Sequence, residues 1–178
     1  MEFETVVLDA EEASVGYSKG EDVSKICDNF FATKTELESA LSAYWESFDE
    51  ISRKGPCGVS PKARTQLDKL ADAAEKAAAQ YSTHKALMEA KFNELISYCR
   101  DRLGEFTDLF RDSCKEDKLK GVTSLIAVAV QTKERGELVS AVELAHQAHA
   151  LINHILAEIT DTWLGGHQER IARLSASQ

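Results

Sequence analysis

Between residues 27 and 51 the chain places Cys27, Phe30, Lys34, Leu37, Leu41, Tyr44, Phe48 and Ile51 at alternating steps of three and four. An unbroken ladder of that spacing lines one stripe of a helix and keeps it against neighbouring helices along its length. A second ladder lies near the C-terminus: Leu138, Val142, Ala145, His149, Ile152, Leu156, Ile159 and Trp163. Two such ladders in 178 residues predict an all-α protein. The expected architecture is an antiparallel helical bundle or elongated coiled coil of three long helices. The third is kinked, and a short non-helical arm precedes the first.

The remaining composition agrees with helices. Proline occurs only at Pro56 and Pro61, and strong helix formers are plentiful. A chain of this length is one domain by size and can bury a sizeable core. No apolar run approaches the roughly 18 residues of a membrane span. The segment Met1 to Asp9 is acidic and lacks the basic-then-apolar pattern of a secretion signal. Cys27, Cys57, Cys99 and Cys114 form no CxxC pair. Such spacing reads as reduced thiols and a cytoplasmic protein.

Charge is uneven along the chain. The first 22 residues hold seven acids, including Glu2, Glu4, Asp9, Glu11 and Glu12, and one base, Lys19, a net of −6 out of −9 for the whole chain. The acidic arm is thus a candidate contact for a basic partner. Nucleic acid is excluded as a partner, because its binding needs a basic surface that displaces counterions. The local basic group Arg111, Lys115, Lys118 and Lys120 is interleaved with Asp112, Glu116 and Asp117 and reads as a solvated helix end.

Breaks in the pattern divide the chain into an arm (1–17), a helical body (18–166) and a tail (167–178). Residues 1–17 show no helical period. Ser18-Lys19-Gly20-Glu21 fits a capping box and predicts a helix over about 21–53. The Gly- and Pro-rich stretch from Lys54 to Pro61 is a loop. Its end, Ser60-Pro61, suits the N-cap and first position of a second helix. That helix is expected to run to about Cys114, with Gly104 as its one weak point. A polar turn follows over Ser113 to Gly121. The third helix starts at Val122, slips phase at Glu134-Arg135-Gly136, and ends at Gly165-Gly166.

Few residues carry chemistry. Lys34 occupies a slot of the first ladder and Glu38 lies one turn on. Lone polar groups in such seams fix register or oligomeric state, so both are interaction candidates. His149 occupies a slot of the second ladder and is expected to be a satisfied core histidine, desolvated enough to disfavour its charged form. His146 is expected on the helix flank. Glu143, His146 and His149 have the Glu-x-x-His spacing of di-iron bundles, but the motif occurs once where such sites need two. No metal site is therefore assigned. Cys57 in its loop lacks a local histidine to activate it. There is no P-loop, dinucleotide fingerprint or nucleophile elbow, so no catalytic or cofactor residue is assigned either. The apolar run Val122 to Val130 is too short to span a bilayer and reads as a buried central helix.

The expected function is a non-enzymatic protein–protein interaction or scaffold module, self-associating as a homodimer through its heptad seams. An alternative is a membrane-binding or membrane-shaping helical dimer, because the helix proportions resemble a small BAR-type coiled coil; such domains generally need a cationic face, and this chain is anionic. A less favoured variant is a membrane-active protein that uses Val122 to Val130.

Overall fold

The computed structural model describes residues 2–55, 59–108 and 116–176, with side chains from residue 23 in the first stretch and from residue 117 in the last. Among them the chain forms four long helices and no strand: α1 (Glu2–Lys54), α2 (Pro61–Glu105), α3 (Glu116–Glu134) and α4 (Leu138–Ala176). The chain divides into two compact units. One is Ser24–Glu89. The other joins Ala90–Gln178 with Met1–Val23.

Several boundaries differ from expectation. Helix α1 begins at Glu2, so the acidic segment is helical rather than a non-helical arm. Periodicity misses such a helix because it reports a buried face, while backbone helicity needs only the absence of breakers. Acids near the start, such as Glu2 and Glu4, also suit the positive end of the helix dipole. Helix α2 ends at Glu105, with a turn at Phe106 and helix again at Thr107 and Asp108; the expected end near Cys114 lies outside the described residues. Gly104 loosens the backbone there, and the Thr107 hydroxyl donates to the Leu103 carbonyl, offering the last turn an alternative partner. Helix α3 starts at Glu116 rather than Val122, because acidic Glu116 and Asp117 favour a first turn. The expected three long helices are therefore four.

Two stop signals were tested by the fold and only one holds. At Gly136 the backbone turns left-handed, with φ of 85°. The Gly136 amide donates to the Lys133 carbonyl at 2.9 Å and the Glu137 amide to Thr132 at 3.2 Å. That pair of bonds is a Schellman cap, and glycine adopts its φ without a Cβ penalty. Gly165 and Gly166, by contrast, lie inside α4. Each costs about 1 kcal/mol relative to alanine, and the helix absorbs this with neighbours such as Trp163 against His167 (4.1 Å between rings) and Arg173 with Glu169 (3.3 Å). At the start of α2, Ser60 is the cap foreseen: its Oγ accepts from the Ala63 amide at 3.1 Å.

In the larger unit, α3 and α4 pack together as a helical hairpin. The end of α2 joins them, with Tyr98 bonded to Asn153 at 2.7 Å and Lys133 to Asn93 at 3.2 Å. The second ladder is buried from Leu138 to Ile159. Ala141, Ala148 and Ile155 are buried too, so α4 is covered over a wide arc and is the central helix of this unit. Phe92, Leu95, Ile96 and Cys99 of α2 and Val122, Ile126 and Ala129 of α3 are buried with it. Burying each large apolar side chain contributes about 1.5–3 kcal/mol. One face of the Val122 to Val130 run is thus core. Among the described residues no helix is long and apolar enough to cross a membrane.

In the smaller unit, Ser24 to Lys54 of α1 and the first half of α2 run antiparallel. Phe30 and Tyr81, both far from the connecting loop, bring their rings to 5.3 Å. The first ladder is only partly inward. Cys27 and Phe30 are buried, and Leu37, Tyr44 and Ile51 are half-buried, but Lys34, Leu41 and Phe48 are exposed. The inward stripe takes Thr33, Ala40 and Ser47 in their place. The inward stripe steps by three from Phe30 to Thr33 where the ladder steps by four to Lys34, which leaves Lys34, Leu41 and Phe48 one residue outside it. Lys34 is therefore a surface residue, and a core seam through it is corrected.

Candidate functional site

This offset leaves apolar residues outside. Phe31 is 52% exposed, Leu41 41%, Trp45 55% and Phe48 41%. Three aromatic rings of α1 touch one another: Tyr44 and Trp45 at 5.4 Å, Trp45 and Phe48 at 5.6 Å, Tyr44 and Phe48 at 6.3 Å. Single exposed hydrophobes are ordinary, but a contiguous aromatic ridge is a candidate interaction surface. Glu38, Glu46, Asp49 and Glu50 flank it and are exposed. Lys54 donates to Glu50, and that bond and charge hold the Glu50 carboxyl below its ordinary range.

A second cluster lies where α2 meets α4. Lys91 is only 7% exposed, with its Nζ 3.2 Å from a Glu94 carboxylate oxygen. The Tyr98 ring stands 4.6 Å from His149, and its hydroxyl donates to Asn153. Asn153 Nδ2 lies 3.4 Å from His149 Nε2. The Arg102 guanidinium sits 5.1 Å above Tyr98 and pairs with Glu105 at 3.0 Å. His149 is thus buried, as its slot predicted, among polar neighbours. Buried polar networks of this kind set a unique packing when satisfied.

His146 is half-buried on the helix flank, as expected, but one of its ring nitrogens is enclosed. Its ring stacks 6.2 Å from His149, and its buried Nδ1 has no hydrogen-bond partner. Burial and, next, the Lys91 charge push its pKa below 6.5. The unfolded chain therefore takes up a proton more readily than the folded one. Stability contributed here is whole above pH 6.5 and is lost as pH falls through the lowered value. His146→Leu is expected to flatten that acid-side loss, measured by denaturant unfolding at a series of pH values. An unchanged pH profile contradicts this assignment. The signal was available in sequence: Lys91 falls in phase with Met88, Phe92 and Leu95, all buried.

Other candidates separate. Glu143 is exposed while His149 turns inward. Among the described residues no group of three or more His, Cys, Asp or Glu side chains is placed to hold a metal ion. Cys99 is fully buried, and burial pushes its thiol up to about 12, which makes it a poor nucleophile. Cys57, Cys114, Arg111 and Lys115 lie outside the described residues. So do the side chains of Glu2, Glu4, Asp9, Glu11 and Glu12. Lys118 pairs with Glu158 at 2.6 Å and Lys120 with Asp117 at 3.1 Å. An open groove of about 620 Å³ lies between α2 and α3, lined by residues such as Phe92, Arg100 and Lys133. Lys133 lies 4.6 Å over the Phe92 ring there. No family model, curated protein or solved structure matches the chain.

Proposed function

We propose that the protein is a non-enzymatic helical interaction or scaffold module that self-associates through α1 in the cytoplasm. The observation that carries this reading is the exposed ridge of Leu41, Trp45 and Phe48 beside an inward stripe, Leu37, Tyr44 and Ile51, that is itself only half-buried. A helix with apolar residues on two stripes has room for two neighbours. Membrane shaping has less support, because Glu38, Glu46, Asp49 and Glu50 beside the ridge repel an anionic leaflet.

Trp45 reports on this directly. In a Trp163→Phe background it is the remaining tryptophan. Its emission is expected to move to shorter wavelength as protein concentration rises and the ridge is covered. Emission that stays at the solvent-exposed wavelength across the whole concentration range contradicts self-association through α1.

A further inference from the structure

The exposed residues of α1 form a ladder of their own. Phe31, Lys34, Glu38, Leu41, Trp45 and Phe48 step by 3, 4, 3, 4 and 3, and all six are exposed. That is heptad a/d spacing on the open side of the helix, with one cation and one anion in adjacent slots. We propose that this ladder is an antiparallel two-fold interface that takes α1 of a second copy of the chain, with Lys34 of each copy facing Glu38 of the other. The inference rests on the self-association reading and adds the partner's orientation and register.

Charge decides the occupant and the direction. A two-fold interface must be complementary to itself. In a parallel pair, equivalent slots meet, which stacks Lys34 on Lys34 and Glu38 on Glu38. In an antiparallel pair each a slot faces a d slot of the other helix. The register that puts Lys34 against the second copy's Glu38 also puts Phe31 against the second copy's Leu41. Continued outward, Phe48 comes opposite the second copy's exposed Ser24, and Trp45 opposite its Cys27, which is small and 6% exposed. Large side chains then meet small or polar ones, which lets the layers interdigitate. Paired residues 24–48 span about 37 Å of helix. The opposite charges disfavour shifted registers, the role best attested for polar residues in such seams.

The test is sedimentation of the full chain across a range of concentrations. Lys34→Glu and Glu38→Lys are each expected to weaken the dimer about tenfold or more, because each leaves like charges facing. The two substitutions together restore it to near the parent value. Helical content by circular dichroism stays constant, since both positions are exposed. Orientation is read by cross-linking in a chain carrying Cys57→Ser and Cys114→Ser. Under mild oxidation a Phe31→Cys chain mixed with a Leu41→Cys chain gives a mixed disulfide, whereas Leu41→Cys alone does not link to itself. Self-linking of Leu41→Cys overturns the antiparallel arrangement. A parent chain that dimerises, with single charge variants unaffected, overturns this interface and leaves self-association standing. A parent that stays monomeric up to roughly 100 µM, a weak affinity by any measure, overturns both.

Discussion

Ile152→Ala is expected to destabilise the protein by about 2–5 kcal/mol. Ile152 has no exposed surface and lies mid-way along the buried face of α4, between His149 and Ile155. Truncation removes its transfer energy and leaves a cavity, because close-packed neighbours relax only in part. For a chain of this size each kcal/mol lowers Tm by about 2–4 °C. Chemical unfolding of the variant and parent gives the difference. A loss under about 1 kcal/mol would mean that α4 is less tightly packed than its burial indicates.

Ala145→Leu is expected to cost about 1–3 kcal/mol by the opposite mechanism. Ala141, Ala145 and Ala148 have no exposed surface and let neighbouring helices approach α4 closely. Three added heavy atoms must displace side chains or backbone. The control is Ala127→Leu on α3, where the side chain is exposed. That change should stay within about 0.5 kcal/mol. Equal effects at the two positions would contradict the assignment of α4 as the central helix of its unit.

The sequence was most legible where one face of a helix does one job. From Leu138 to Ile159 every rung of the second ladder is buried, because α4 is enclosed along that length. The turn at Gly136 was legible as a phase slip, since a cap interrupts the periodic face. The first ladder was legible as helix but misleading as core. Its rungs belong to two stripes, one inward and one exposed, which spacing alone does not separate, and Lys34 fell on the outer one. The same error hid the ridge, because Leu41 and Phe48 were assigned inward. Helix over residues 2–17 gave no signal, because periodicity reports burial rather than backbone shape. His146 is the half-buried flank residue expected, but the Lys91 charge that acts on it lies on α2, which spacing along α4 does not encode.

Self-association through the outer face of α1 is the central claim, and the mass of the parent chain in solution tests it most directly. Sedimentation equilibrium at rising concentration should move from the monomer value of 19.7 kDa towards twice that value. Trp45→Glu should hold the mass at the monomer value over the same range, with its helical content intact. A parent chain that remains at 19.7 kDa throughout, or a Trp45→Glu variant that dimerises as the parent does, would contradict the claim.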